Sequence, residues 1–137
     1  SGTVWVDTSA LLAVANPRDQ YHATAVQSAR RHLGAGGRFV GSVLVLAELH
    51  GHLLHRRGPS PARSVLDALL QDPAYVWHEV SPRLMAQAVT DWIGRYADQE
   101  FSLTDAVSFT LMRTEKVKVA FAYDDDFRTA GFALLST

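Results

Sequence analysis

Two hydrophobic rhythms alternate along the chain: short runs of β-branched and aromatic residues, and longer stretches in which apolar residues return about every three or four positions. The first predicts strands and the second amphipathic helices. Thr3, Val4, Trp5 and Val6 form a β-prone run ended by Asp7, and Thr8 and Ser9 are suitable N-caps for a helix over residues 10–15. Asn16 and Pro17 break that helix. Ala23, Val26, Ala29 and Leu33 then keep a helical period until Gly34, Gly36 and Gly37 stop it. A second strand is expected over residues 38–41, with Ser42 capping a long helix over residues 43–57 that turns Leu46, Leu49, Leu53 and Leu54 inward. Gly58 and Pro59 end it, and Pro61 suits the first turn of a helix carrying Val65, Leu66, Leu69 and Leu70. A strand over residues 75–80 follows, then a helix opened by Ser81 and Pro82 that runs through Leu84, Ala88, Trp92 and Tyr96.

The C-terminal third carries the densest signal. Ser102 is an N-cap for a helix with Leu103, Ala106, Val107, Leu111 and Met112 at helical spacing, which places Asp105 in the first turn. Residues 117–123 are mostly apolar, the pattern of a buried strand, and they stop at Asp124, Asp125 and Asp126. A last strand is expected over residues 133–135. Strands alternating with helices predict an α/β fold: a three-layer α/β/α domain around a small, mainly parallel sheet of four or five strands.

Composition narrows the classes. A chain of 137 residues is expected to form one domain, residues 1–137, with Ser1 and Gly2 read as a cloning remnant ahead of the first strand. No apolar run approaches the ~20 residues a membrane span needs. The absence of cysteine excludes disulfides and thiolate metal sites and fits a reducing cytoplasm. A formal net charge of −1 argues against indiscriminate polyanion binding, so partners must be recognised locally.

Four acids are candidates for chemistry: Asp7 ends the first strand and Asp124 a late one, where ligands collect in open α/β sheets, while Glu48 lies inside the Ser42 helix and Asp105 opens a late helix. Each has a structural alternative. Asp105 completes a Ser102-x-x-Asp105 capping box, and Asp7 and Asp124 can simply begin a turn or cap a helix. Glu48 lies between Ala47 and Leu49 in a strongly apolar helical segment, where a carboxylate must be paired, hydrogen-bonded, metal-bound or turned to an edge. Carboxylates sharing one pocket repel one another, and a hard divalent cation removes that conflict. Mg²⁺ and Mn²⁺ favour such oxygen ligands, and sites of this kind suit phosphodiester cleavage by activated water.

Four stretches together resemble the PIN-domain ribonucleases, and within them the VapC-like toxins of toxin–antitoxin pairs: VDTSALLA from Val6, SVLVLAEL from Ser42, YADQEFSLTDAVSFTLM from Tyr96 and AFAYDDDFRTAGF from Ala120. They occur in family order. The resemblance implies a metal-dependent endoribonuclease using Mg²⁺ or Mn²⁺, with Asp7, Glu48, Asp105 and Asp124 as the acidic metal-site residues, Asp126 as an auxiliary acid and Ser9 shaping the site by hydrogen bonding. It also implies an RNA substrate, a small cognate antitoxin and a homodimer. Two positions depart from the family pattern: Ala122 stands where a Thr or Ser is common, and Asp125 where a basic residue is frequent. Asp98 matches a frequent family acid, but it precedes the Ser102 helix and suits a structural hydrogen-bonding role.

Other constellations carry less. His50, His52 and His55 do not share one helix face, so they form no compact zinc set, although His52 lies one turn after Glu48. Arg30 with Arg31, Arg56 with Arg57, and Arg113 with Lys116 and Lys118 read mainly as solvated surface, with the groups flanking site-bearing helices able to hold a polyanion. Tyr21, Tyr123 and Phe127 are candidates for an aromatic platform under single-stranded RNA, whereas Trp5, Trp77 and Trp92 are expected in the core. Two different classes compete with a nuclease. A phosphoacceptor receiver domain has a similar layer architecture and binds Mg²⁺, but it needs paired acids after its first strand and a lysine after its last; here Thr8 follows Asp7, and no lysine follows residue 133. A non-catalytic interaction module would have no use for the acids.

Overall fold

A computed structural model describes residues 2–135. Its elements are β1 (Thr3–Val6), α1 (Thr8–Ala15), α2 (His22–Gly34), β2 (Arg38–Ser42), α3 (Val43–Arg57), α4 (Pro59–Gln71), β3 (Tyr75–His78), α5 (Pro82–Ala88), α6 (Leu103–Thr114), β4 (Val119–Phe121), α7 (Asp126–Thr129) and β5 (Ala133–Leu134). A π-helical turn, Val89–Gly94, continues α5. The five strands form one sheet in the order β3-β2-β1-β4-β5, and every pairing is parallel. Parallel neighbours need crossovers, and crossovers are right-handed because right-twisted strands feed helices back onto the sheet only that way. From β1 the chain steps outward to β2 and β3; it then returns across the sheet to β4 and β5, so the helices of the two legs must cover opposite faces.

The packing follows this rule. Val4 and Val6 of β1, Phe39 of β2 and Phe121 of β4 join Leu11, Leu49, Leu53 and Leu69 from α1, α3 and α4 on one face. Trp5, Val40 and Ala120 point the other way, as the two-residue pleat requires, and meet Trp92, Phe101, Phe109 and Phe127. Phe109 of α6 is the hub of that second layer, with edge-to-face contacts to Trp92 at 4.8 Å, Phe101 at 5.0 Å and Phe127 at 5.0 Å. Gly58 separates α3 from α4 at φ +88°, a backbone region that side chains with a Cβ rarely enter, and so permits the abrupt reversal between them.

Several local expectations change. Asp7, not Thr8 or Ser9, is the N-cap of α1, accepting the Ser9 N–H. Ser42 occupies the N-cap position of α3, but its buried hydroxyl makes no capping bond. Ser42 is also the last residue of β2, paired with His78. Strand β4 is shorter than the apolar run that announced it, and α7 was not anticipated. Trp5 and Trp92 are buried as expected, but Trp77 lies on the edge strand β3 and is only half-buried, its indole N–H donating to the Leu69 carbonyl at 3.1 Å. Ser1 lies outside the described residues, whereas the Gly2 carbonyl accepts from the Arg38 N–H at 2.7 Å and extends the β1–β2 pairing.

Candidate active site

The sheet order creates the crevice. Strands β1 and β4 are neighbours, yet β1 leads to a helix on one face and β4 to a helix on the other, so their carboxyl ends diverge at a topological switch point. Asp7 is the residue after β1, and its N–H donates to the Phe121 carbonyl at the end of β4 at 3.0 Å. Asp124 follows β4 by three residues. The open cavity beside them, about 430 Å³, is lined by Asp7, Glu48, Asp105, Asp124 and Asp126, with Ser9, Thr8, Ser102, His52 and Glu100 completing the wall. Each acid arrives on a different element, which no local sequence signal determines.

Three of these acids divide their two oxygens in the same way. Asp7 Oδ2 accepts from the Ser9 hydroxyl at 2.6 Å and the Ser9 N–H at 3.1 Å. Asp105 Oδ2 accepts from the Ser102 N–H at 3.1 Å, while the Ser102 hydroxyl accepts from the Asp105 N–H at 3.0 Å, a complete capping box. Asp124 Oδ1 accepts from the Asp126 N–H at 3.1 Å. Beyond these bonds no backbone N–H or Ser/Thr hydroxyl among the described residues donates to the three carboxyls, and the Asp7 and Asp124 carboxyls hydrogen-bond each other. Capping and pocket lining are therefore compatible, because one carboxylate has an oxygen for each. The Ser9 hydroxyl also accepts from the Tyr123 N–H at 3.0 Å, which ties the start of α1 to the segment after β4.

Electrostatics mark the same cluster. Burial, with the charges of Asp124 and Asp105 adding, raises Asp7 to about 7 despite the Ser9 hydrogen bonds that oppose the shift. Asp105 is raised to about 6, chiefly by burial and then by Asp126 and Asp124, against the Ser102 bonds. Asp124 is raised as well, by burial first. Among the described residues no lysine or arginine lines this cavity to relieve the repulsion. Apart from His52 on the rim the donor set is all oxygen, and Thr8 Oγ1 is buried on the cavity wall without a hydrogen-bond partner among the described residues. These features fit a hard divalent cation. Among the described residues no three His, Asp or Glu side chains converge into a ready-made ion cage; the acids ring the cavity.

Other expected residues are sorted by position. Glu48 is half-buried in α3 and turned to the cavity edge, with exposed His52 beside it one turn later. Asp98 stays out, lining a small cleft with Trp92, Tyr96 and Phe101. Ala122 packs into the core, and exposed Asp125 pairs with Arg128 at 3.3 Å. Phe127 cannot serve as an aromatic platform because it is fully buried against Phe109, whereas Tyr21 and Tyr123 stack on one another at the surface. The basic groups on the site-bearing helices lie at the wrong ends: Arg57 is roughly 14 Å along α3 from Glu48, and Arg113 roughly 12 Å along α6 from Asp105. Arg113 instead covers the Trp92 ring at 4.3 Å. Glu100 was missed; two positions before the Ser102 cap, it had no signal beyond closeness to the capping box.

The PIN domain family model matches residues 4–133. The 23S rRNA-specific endonuclease VapC20 of Mycobacterium tuberculosis is 34% identical over 129 residues, covering 94% of this chain and 95% of that protein. The crystal structure of Mycobacterium tuberculosis VapC20, described as a sarcin-ricin loop cleaving toxin, superposes with a TM-score of 0.83 at 32% identity, over 95% of this chain and 96% of that one. VapBC2 from Rickettsia felis, bound to a DNA fragment from its promoter, gives a TM-score of 0.68 at 14% identity and 96% coverage of both chains, a likeness of fold alone. FitAcB from Neisseria gonorrhoeae is a further fold neighbour, with a TM-score of 0.64 at 14% identity over 97% of this chain and 96% of that one. With a family model that spans both strand-end acids and everything between them, this chain belongs to the PIN domain family.

Proposed function

We propose that this chain is a Mg²⁺- or Mn²⁺-dependent endoribonuclease that hydrolyses RNA phosphodiester bonds, and that it is the toxin of a toxin–antitoxin pair. The observation that carries this reading is the meeting of Asp7 and Asp124, from neighbouring strands at the switch point, with Asp105, Glu48 and Asp126 around one cavity. The 34% identity to a 23S rRNA-specific endonuclease across nearly all of both chains supports it and makes ribosomal RNA the first substrate to test. Such a substrate would be met in the cytoplasm.

Asp7 and Asp105 would hold the ion through the oxygens their caps leave free, with Glu48, Asp124 and Asp126 completing or orienting the shell. When bound, Mg²⁺ or Mn²⁺ supplies Lewis acidity that makes water a usable nucleophile near neutral pH and offsets charge on the phosphoryl oxygens. Ser9 keeps the Asp7 carboxylate in one orientation, and the Ser102 box does the same for Asp105. Cysteine is absent from the chain, and His52, the histidine that lines the cavity among the described residues, sits exposed on its rim, so neither a thiolate nor a buried imidazole base stands ready for covalent catalysis, which favours direct attack by water.

The decisive experiment is cleavage of total RNA by the purified protein with Mg²⁺, Mn²⁺ or chelator, compared with Asp7→Asn and Asp105→Asn. Cleavage is expected only from the unsubstituted protein with metal; activity that survives chelation and both substitutions would sink the mechanism. The toxin reading carries two partners, an antitoxin and a second copy of the chain. Leu70, 60% exposed on α4, and Val89, 42% exposed after α5, offer apolar surface for the homodimer. A monomer in sedimentation at micromolar concentration would count against it.

A further inference from the structure

An aromatic ladder runs from the core of the sheet to the surface beside the acids. Phe39 packs on Phe121 at 5.4 Å, Phe121 meets Tyr123 at 5.9 Å, and Tyr123 stacks on Tyr21 with ring centroids 4.6 Å apart and planes 8° from parallel. The last ring is held out to solvent: Tyr21 is 40% exposed and makes no side-chain capping bond to α2. Its backbone is nevertheless fixed, since the Tyr21 N–H donates to Asp19 Oδ1 at 2.8 Å and His22 Nδ1 bonds to the Ala13 carbonyl at 2.8 Å. A rigidly presented, solvent-facing tyrosine has no evident purpose in the fold.

We propose that the exposed face of this Tyr21–Tyr123 stack docks one unpaired nucleobase of the RNA, next to the phosphate held at the acids; this rests on the ribonuclease reading above. Two observations place the platform. Tyr21, Tyr123 and Asp124 line one open cleft of about 570 Å³, and Asp124 also lines the acid cavity, so the two spaces adjoin. The Tyr123 N–H bonds to the Ser9 hydroxyl, which in turn donates to Asp7, so the stack and the acids are held in register through one side chain. A base stacked here is therefore held at a fixed offset from the reacting phosphate.

Charge decides which part of a nucleotide enters. Asp124 and Asp125 on the rim repel a phosphate but accept hydrogen bonds from base amino and imino groups, and a neutral base has a π-face for the ring. Arg128, on the same rim and paired with Asp125 at 3.3 Å, offers a cation to a flanking phosphate. Only an unpaired base has a free face, so the platform selects single-stranded or loop RNA over duplex.

The test uses the Asp7→Asn protein, to prevent cleavage, titrated with a short single-stranded oligoribonucleotide carrying a fluorescent adenine analogue. Stacking quenches the analogue. Tyr21→Ala and Tyr21→Leu should each weaken binding by roughly 5- to 140-fold, the span for one base–aromatic stack of about 1–3 kcal/mol. Tyr21→Phe should bind like the parent, and Tyr21→Ala combined with Tyr123→Leu should abolish the quench. Parent-like affinity in Tyr21→Ala and Tyr21→Leu would overturn the platform alone, leave the ribonuclease reading intact, and hand the exposed ring to a protein partner. Failure of the unsubstituted protein both to bind and to cut RNA would remove both readings together.

Discussion

Asp7→Asn should stabilise the metal-free protein at alkaline pH while abolishing RNA cleavage. Asp7 is buried, and its folded-state pKa of about 7 lies well above the ordinary 3.8, chiefly because burial penalises the charge. The fold thus prefers the protonated carboxyl: stability from that preference is complete below 3.8 and is lost as pH rises through about 7. By linkage, holding an ionisable Asp7 costs the fold about 1.5 kcal/mol at pH 5 and about 4 kcal/mol at pH 8, both upper figures because the neighbouring acids titrate with it. Asparagine never ionises, and it caps helices as well as aspartate does, so it keeps an oxygen for the Ser9 N–H. The advantage of the variant over the natural side chain should therefore widen by about 2.5 kcal/mol between pH 5 and pH 8, roughly 7 °C in Tm for a chain of this size. Thermal melts of both proteins in chelator at the two pH values measure it. Adding Mg²⁺ or Mn²⁺ at pH 8 should return stability to the unsubstituted protein and much less to the variant. Parallel melting shifts, with no widening between the two pH values, would refute the claim that Asp7 is a strained, buried carboxylate.

Ser9→Ala removes a hydroxyl that both donates to Asp7 and accepts from the Tyr123 N–H. It should cost about 1–3 kcal/mol in urea melts and, by removing the foremost influence that lowers the Asp7 pKa, move the acidic limb of the pH–rate profile upward; an unmoved limb would refute that coupling. Phe109→Ala empties the centre of the layer formed by Trp92, Phe101 and Phe127 and should cost about 3–5 kcal/mol in the same melts. A loss below about 1 kcal/mol would mean that the layer closes over the gap.

The order of elements and the strand-end position of the acids were legible in the sequence because both rest on interactions between residues a few positions apart. The Ser102–Asp105 box is such a case: both of its hydrogen bonds join residues three apart, and the pattern is found as read. The end of β1 at Asp7 is another, since a hydrophobic run must stop where the chain leaves the sheet. Where local logic failed, a longer-range constraint had taken the residue. The local pattern makes Ser42 the cap of α3, but at the end of β2, beside β3, its hydroxyl is buried and makes no capping bond. Phe127 sits among acids in the sequence, yet α7 rolls it under Phe109. Arg57 and Arg113 share helices with Glu48 and Asp105, and only the length of those helices keeps the charges apart. The meeting of the acids belongs wholly to tertiary structure. Asp7 and Asp124 are neighbours because right-handed crossovers send the chain out to β3 on one face and back to β4 on the other, a decision taken by strand twist and the burial of two apolar faces.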